Sequence, residues 1–387
     1  MSNCLVAQSG GPTSVINATV SGVVKANKLN PYYDTVYGGL NGIEGILQER
    51  VVDLTDMSDL ENDILRQTPA SALGSCRYKL KRDNVADFEK LFEVLEKYDI
   101  ETMFYTGGND SMDTVAALSQ YAKEHNIEGH RFVGCPKTVD NDFLLIDRSF
   151  GFETAVQQAK EAIASMHMEA RSQPNCVALV KLMGRESGFI ATSASLASHE
   201  ANFCLIPEVP FDMEGPNGFL ANLERRLKEH QHAVVVVAEG AGQELFESDG
   251  STDASGNKKL ADIGVYLRDE IKKYFASKNI PIDLKYCDPS YQIRSAVTIA
   301  SDSVYCERLG NNAVHAAMAG KTKMVVGLVH DKFVYIPTKM AIASRNFVDP
   351  EGALWRDALD ATGQPILMVN DESKAKKMMR EKLGISK

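Results

Sequence analysis

The chain has 387 residues, 44% hydrophobic and 24% charged, enough for two to three domain-sized units with buried cores. Its 52 acidic residues outnumber its 42 basic ones, a formal net charge of −10. That balance excludes non-specific nucleic-acid binding, which needs surplus Lys and Arg against phosphate, yet leaves room for small phosphorylated substrates in a local basic pocket.

The longest purely apolar run near the middle, 233–238, falls far short of the ~20 residues that cross a bilayer. The start MSNCLVAQSGG lacks a basic stretch and turns polar by Gln8, unlike a secretory signal. Seven cysteines, odd in number, widely spaced and without CxxC, read as free thiols in a reducing compartment. We therefore expect a soluble cytoplasmic enzyme with no membrane or nucleic-acid partner.

Apolar runs rich in β-branched residues predict strands at 4–8, 102–106, 131–135, 177–182, 233–238 and 323–329. Helical periodicity falls between them, first over 83–98, where Phe88, Leu91, Phe92 and Leu95 are spaced i, i+3, i+4, i+7. Further helices are predicted over 111–125, 152–170, 218–230, 262–276 and 301–319. Strand then helix, repeated, predicts α/β architecture with mostly parallel sheets covered on both faces. The polar stretch 243–258 reads as an exposed loop, and composition shifts weakly near residue 145.

In such sheets ligands bind where strands end, so the loops after the strands carry the chemistry. Ser9-Gly10-Gly11 and Gly107-Gly108 each follow a strand and open toward a helix. Without Cβ atoms, such loops let backbone N–H groups close on phosphate oxygens. One Gly-Gly pair is usually only a turn; two at strand ends point to phosphate. The segment Pro136-Lys137-Thr138-Val139-Asp140-Asn141-Asp142 packs a cation, a hydroxyl, two carboxylates and an amide after an apolar strand. It reads either as a solvated loop, with Asp142 capping the next helix, or as the apparatus of phosphoryl transfer to an alcohol. The eight histidines show no metal-ligand spacing, and Met112, Met166 and Met168 read as core or helix surface.

GGNDS, PKTVDND, GFETA (151–155), MGR (183–185), AEG (238–240) and YQIR (291–294), in this order and spacing, resemble the phosphofructokinases. The resemblance implies two similar Rossmann-like three-layer domains with the active site in the cleft between them. The donor domain would comprise 1–145 plus roughly 255–310, and the sugar-phosphate domain 146–254 plus roughly 311–387. It further implies Mg²⁺-assisted phosphoryl transfer to the C1 hydroxyl of fructose 6-phosphate by a homodimer or homotetramer.

By that resemblance Asp140 is the proton acceptor, with Thr138 beside it on the sugar. Met183, Gly184 and Arg185 match the sugar-phosphate strand end, and Glu239 matches the carboxylate that holds sugar hydroxyls. Tyr291 and Arg294 match the pair gripping the 6-phosphate, and Lys285 stands where another phosphate-binding Arg is usual. Gly11 and Gly108 match the donor loops, and Arg77 a cation that offsets charge on the transferred group. Unaided, Arg185, Arg294 and Lys285 also suit a doubly charged sugar phosphate.

Two positions bear on the donor. Pyrophosphate-dependent members carry Asp where Asp110 stands and Lys where Lys137 stands; ATP-dependent members generally have Gly at the first. A carboxylate at 110 would repel the α-phosphate of ATP by about 4 kcal/mol at ~4 Å and an effective dielectric of 20, roughly three decades. Diphosphate ends one phosphate earlier, and Lys137 can neutralise its free end. Two departures stand out. Asn109 replaces the usual acidic Mg²⁺ ligand and supplies no charge. Cys176 occupies the position of an Arg given to a neighbouring subunit, for which Arg171 is a candidate stand-in. The alternatives are an ATP-dependent phosphofructokinase, a non-catalytic regulatory subunit of that fold and, more remotely, a lipid or nicotinamide-nucleotide kinase.

Overall fold

A computed structural model describes residues 2–76, 78–247, 250–252 and 259–384. Its strands are β1 (Asn3–Gln8), β2 (Val36–Gly39), β3 (Val51–Asp53), β4 (Ile100–Gly107), β5 (Arg131–Pro136), β6 (Cys176–Leu182), β7 (Phe203–Leu205), β8 (His232–Ala238), β9 (Asp283–Cys287), β10 (Met324–Val329) and β11 (Lys332–Pro337). The helices are α1 (Ile16–Leu29), α2 (Gly42–Leu47), α3 (Asp59–Gln67), α4 (Val85–Lys97), α5 (Asn109–Glu124), α6 (Phe152–Arg171), α7 (Phe189–Ser198), α8 (Phe219–His230), α9 (Ile263–Ser277), α10 (Ser290–Ser295), α11 (Ala300–Met318), α12 (Thr338–Ala341), α13 (Ala353–Thr362) and α14 (Glu372–Lys382). Every strand and helix expected from the sequence is present, with ends shifted by one or two residues.

The chain forms two compact units, 1–154 with 294–346 and 155–293 with 347–387. This differs from the expected division: of the described residues, 259–293 belongs to the second unit and 311–346 to the first, and the first crossing falls at 154/155 rather than 145. Two crossings lie inside helices α6 and α10, so no linker composition marks them.

The first unit holds a seven-stranded sheet, ordered β11-β10-β5-β4-β1-β2-β3, parallel except for the β10/β11 and β2/β3 pairs. Alternation along β1 explains its three layers. Cys4 and Val6 join a cluster with Val20 and Val23 of α1 and Leu309 and Ala313 of α11. Leu5 and Ala7 point the other way, into a cluster with Ile43 of α2, Leu91 of α4 and Leu118 of α5. α1 and α11 cross closely at glycines: a Cβ on Gly22 would lie 2.3 Å from the Glu307 carbonyl oxygen, and one on Gly310 2.3 Å from that of Thr19.

The second unit holds an all-parallel four-stranded sheet, ordered β7-β8-β6-β9. Val177, Leu179, Val235 and Val237 bury one face against Leu223 of α8 and Leu267 and Phe275 of α9. Among the described residues no helix is long and apolar enough to cross a membrane. All seven cysteines are free, and six are buried. Of the expected loop 243–258, residues 248–249 and 253–258 lie outside the described residues. Its start is anchored rather than loose: the Gln243 amide donates to the carbonyls of Glu239 (3.0 Å) and Ala261 (3.1 Å).

Candidate active site

In the first unit the loops after β1, β4 and β5 are neighbours, because those strands are adjacent in the sheet. The chain order reverses there, with β2 on one side of β1 and β4 on the other, which makes the crevice a topological switch point. Pairing continues past the strand ends. Ser9 N–H donates to the Thr106 carbonyl and Lys137 N–H to the Gly107 carbonyl, each at 2.8 Å. Gly10 takes φ +82°, and a Cβ on it would sit 3.1 Å from Lys137 Nζ. Gly107 has no room for a side chain either, since a Cβ would meet Ser111 Oγ at 2.1 Å.

Lys137 sits in this cradle, only 7% exposed, its Nζ donating to the Gly11 carbonyl at 2.7 Å. Burial, then the nearby charge of Arg294, brings its ammonium down to about 8, against the opposing pull of Asp140 and Asp142. The backbone N–H of Asp140 donates to Thr138 Oγ1 at 3.1 Å, which shapes the turn carrying both.

Helix α5 begins at Asn109, two residues before the expected start, with Gly108 as an extended N-cap lacking a side-chain bond. Asn109 and Asp110 thus occupy its first turn, where the positive end of the helix dipole favours an anion. Asp110 is not a lone negative charge. Its Oδ1 lies 3.2 Å from Lys79 Nζ, both side chains being nearly half exposed. Sequence reading missed Lys79, although it stands two residues after the basic residue it singled out, Arg77, which itself lies outside the described residues.

Asp142 does not cap a helix, contrary to one expectation, since α6 starts only at Phe152. It is 2% exposed and accepts from Arg345 Nη1 at 2.5 Å and from Asn109 Nδ2 at 3.3 Å. The pair braces α5's first turn against the PKTVDND loop. Downstream, buried Asp302 of α11 accepts from the backbone N–H groups of Gly151 (3.1 Å) and Thr154 (2.7 Å) and from Thr154 Oγ1 (2.7 Å), fixing the GFETA turn. Arg345 and Asp302 act across more than 140 residues, and no local pattern announces them.

In the second unit the ends of β6 and β8 lie side by side, Leu182 opposite Ala238. Glu239 N–H donates to the Leu182 carbonyl and Gly240 N–H to the Gly184 carbonyl, each at 2.9 Å. A Cβ on Gly240 would fall 1.8 Å from the Arg185 carbonyl oxygen, so only glycine admits this approach. Met183, Gly184, Arg185 and Glu239 therefore form one strand-end cluster. Lys285 does not join it: it pairs with Ala178, four residues before Leu182, roughly 13 Å back along the strand. There Asp283 holds its ammonium at 2.9 Å and Glu169 lies at 3.7 Å. Cys176 starts the same strand pair, buried, its thiol pushed up by that burial. Tyr291, 82% exposed, and Arg294 lie three residues apart on α10, hence on one helical face.

A sequence model described as phosphofructokinase matches residues 3–317. The chain belongs to the phosphofructokinase family. It is 48% identical over 342 residues to a Borreliella burgdorferi protein named ATP-dependent 6-phosphofructokinase, covering 87% of this chain and 75% of that one. An Amycolatopsis methanolica protein of the same name is 39% identical over 365 residues, 92% of this chain and 77% of that one. Among solved structures, a pyrophosphate-dependent phosphofructokinase from Marinobacter aquaeolei superposes with TM-score 0.79 at 28% identity, covering 94% of this chain and 91% of that one. The two-domain phosphofructokinase architecture anticipated from the motifs is therefore observed.

Proposed function

We propose that this phosphofructokinase transfers a phosphoryl group from inorganic diphosphate to the C1 hydroxyl of fructose 6-phosphate, and back. The observation that carries the donor choice is Asp110 in the first turn of α5, beside the cradle that buries Lys137. The glycine loops and the α5 N-terminus offer N–H groups to diphosphate, and Lys137 meets its charge. Asp140 accepts the hydroxyl proton, and Thr138 orients the sugar. Arg185 and Glu239 hold the acceptor's phosphate and hydroxyls, with Tyr291 and Arg294 on the 6-phosphate.

The family implies Mg²⁺. Among the described residues no group of three or more His, Cys, Asp or Glu is placed to hold a metal ion. Magnesium commonly binds through one or two carboxylates plus substrate phosphates, so this donor set fits an ion carried in by diphosphate. Asp110, Asp140 and the amide oxygen of Asn109 are the groups that would hold it. When bound, it offsets charge on the phosphoryl oxygens.

A second reading, ATP as donor, draws support from Lys79, which compensates Asp110, and from the names of the relatives above. Turnover of fructose 6-phosphate with diphosphate or ATP, each with and without Mg²⁺, decides. We expect diphosphate to be preferred by roughly two decades in kcat/KM; a preference for ATP overturns the donor assignment and leaves the sugar half intact.

Lys137 gives a pH test. A lysine lowered to about 8 keeps its charge at pH 7 and loses it as pH rises past 8. The KM for diphosphate should then climb roughly tenfold per unit above that point. Lys137→Met should raise the KM at pH 7 by about one to two decades, the worth of a charge-assisted hydrogen bond, and abolish the slope. A slope that survives in the variant shows that another group titrates.

A further inference from the structure

Glu208 lies in Ile206-Pro207-Glu208-Val209-Pro210, just beyond β7, and is 1% exposed. A carboxylate buried this deeply needs hydrogen-bond donors. Its Oε1 accepts from two backbone N–H groups at 2.9 Å each, those of Gly188 and Val348. Gly188 is the N-cap of α7 and the last residue of the MGRESG loop. It is packed too tightly for any side chain: a Cβ would stand 2.5 Å from Ile206 Cβ and 2.9 Å from Glu208 Oε2. The loop folds back sharply, with Gly184 at φ +130° and a Cβ there 2.5 Å from the Ser187 carbonyl oxygen. Arg185 thus hangs between two fixed points. On one side Gly240 bonds Gly184; on the other Glu208 bonds Gly188.

The same anchor reaches the end of the chain. Val348 is fully buried, and Lys382, in the last turn of α14, donates Nζ to the Pro207 carbonyl at 2.8 Å. Burial lowers the Lys382 ammonium, while Glu208, Glu186 and Glu244 oppose that shift, so a compensating cation faces the buried carboxylate. Burial, with a smaller push from Glu208, raises the thiol of neighbouring Cys204.

We propose that Glu208 is a positioning residue for the acceptor site, fixing the Met183–Gly188 loop through the Gly188 N–H and tying it to the carboxyl-terminal segment through Val348 and Lys382. The proposal rests on the reading of that loop as the sugar-phosphate site. It assigns Glu208 no contact with substrate: removing its acceptor oxygen lets the loop wander, and Arg185 loses its aim.

The test pairs kinetics with amide hydrogen exchange on the full chain. Glu208→Leu removes the acceptor and should raise the KM for fructose 6-phosphate at least tenfold, with the donor KM within threefold. Exchange should quicken in peptides covering 184–192 and 347–350. Glu208→Gln keeps an acceptor oxygen and should restore KM to within about threefold of the parent. Lys382→Met, at a half-buried position, is expected to quicken the same exchange and raise the same KM three- to fivefold, which keeps the test alive should Glu208→Leu not fold. Unchanged exchange in both Glu208→Leu and Lys382→Met overturns the proposal, as does a rise of both substrate KM values together. Arg185→Ala with an unaltered KM for fructose 6-phosphate would instead remove the functional reading, and the exchange data would still judge whether Glu208 holds the loop.

Discussion

Asp140→Ala is expected to lower kcat by roughly three to four decades while both substrate KM values stay within about threefold. The geometry argues for this separation of effects. The local turn is held by the Asp140 backbone N–H on Thr138 Oγ1, a bond that survives loss of the carboxylate. The loop is braced independently by Asp142 on Arg345, and the donor cradle by Lys137 on Gly11. A general base in this position has no substitute among those groups, since Asp142 is already committed to two donors. A secondary effect follows from charge. Asp140 helps keep a proton on Lys137, so its removal should move the alkaline rise of the diphosphate KM to lower pH. Turnover within tenfold of the parent would show that the proton goes elsewhere.

Asp110→Gly should raise kcat/KM for ATP by about two decades and lower that for diphosphate far less. Repulsion between a carboxylate and a phosphate at ~4 Å would be worth about three decades at an effective dielectric of 20. Asp110 is nearly half exposed, however, and Lys79 stands 3.2 Å away. Solvent screening and that cation both reduce the barrier to a nucleotide. The companion substitution sharpens the result: Lys79→Met exposes the full negative charge and should depress ATP use further. ATP kinetics indifferent to both changes would mean that residue 110 does not govern the donor.

The glycine loops were legible because the logic is local. A β-branched run, two glycines and a helical period are adjacent in sequence, and β1 and β4 display them as written. The edges of the sheets were not legible. β3 has three residues, β7 three, and β9 is DLKYC, partly exposed and half polar, so none shows a period above noise. The start of α5 was misplaced because Gly108 gives no side-chain cap to read; Asp110 in the first turn was the available signal. Asp142 looked like a helix cap because its true partner, Arg345, is 203 residues away. The unit boundaries escaped detection for a similar reason, as the chain changes unit inside α6 and α10, where composition is ordinary helix.

The depth at which Lys137 is held leaves a thermochemical trace. At pH 8 about half the molecules hold that amine without its proton, and an incoming polyanion restores it by drawing H⁺ from solution. The apparent heat of complex formation at that pH should therefore vary with the ionisation enthalpy of the medium, differing between Tris and HEPES. Lys137→Met should shrink that difference by the proton this amine takes up, leaving only what the ligand's own phosphates exchange.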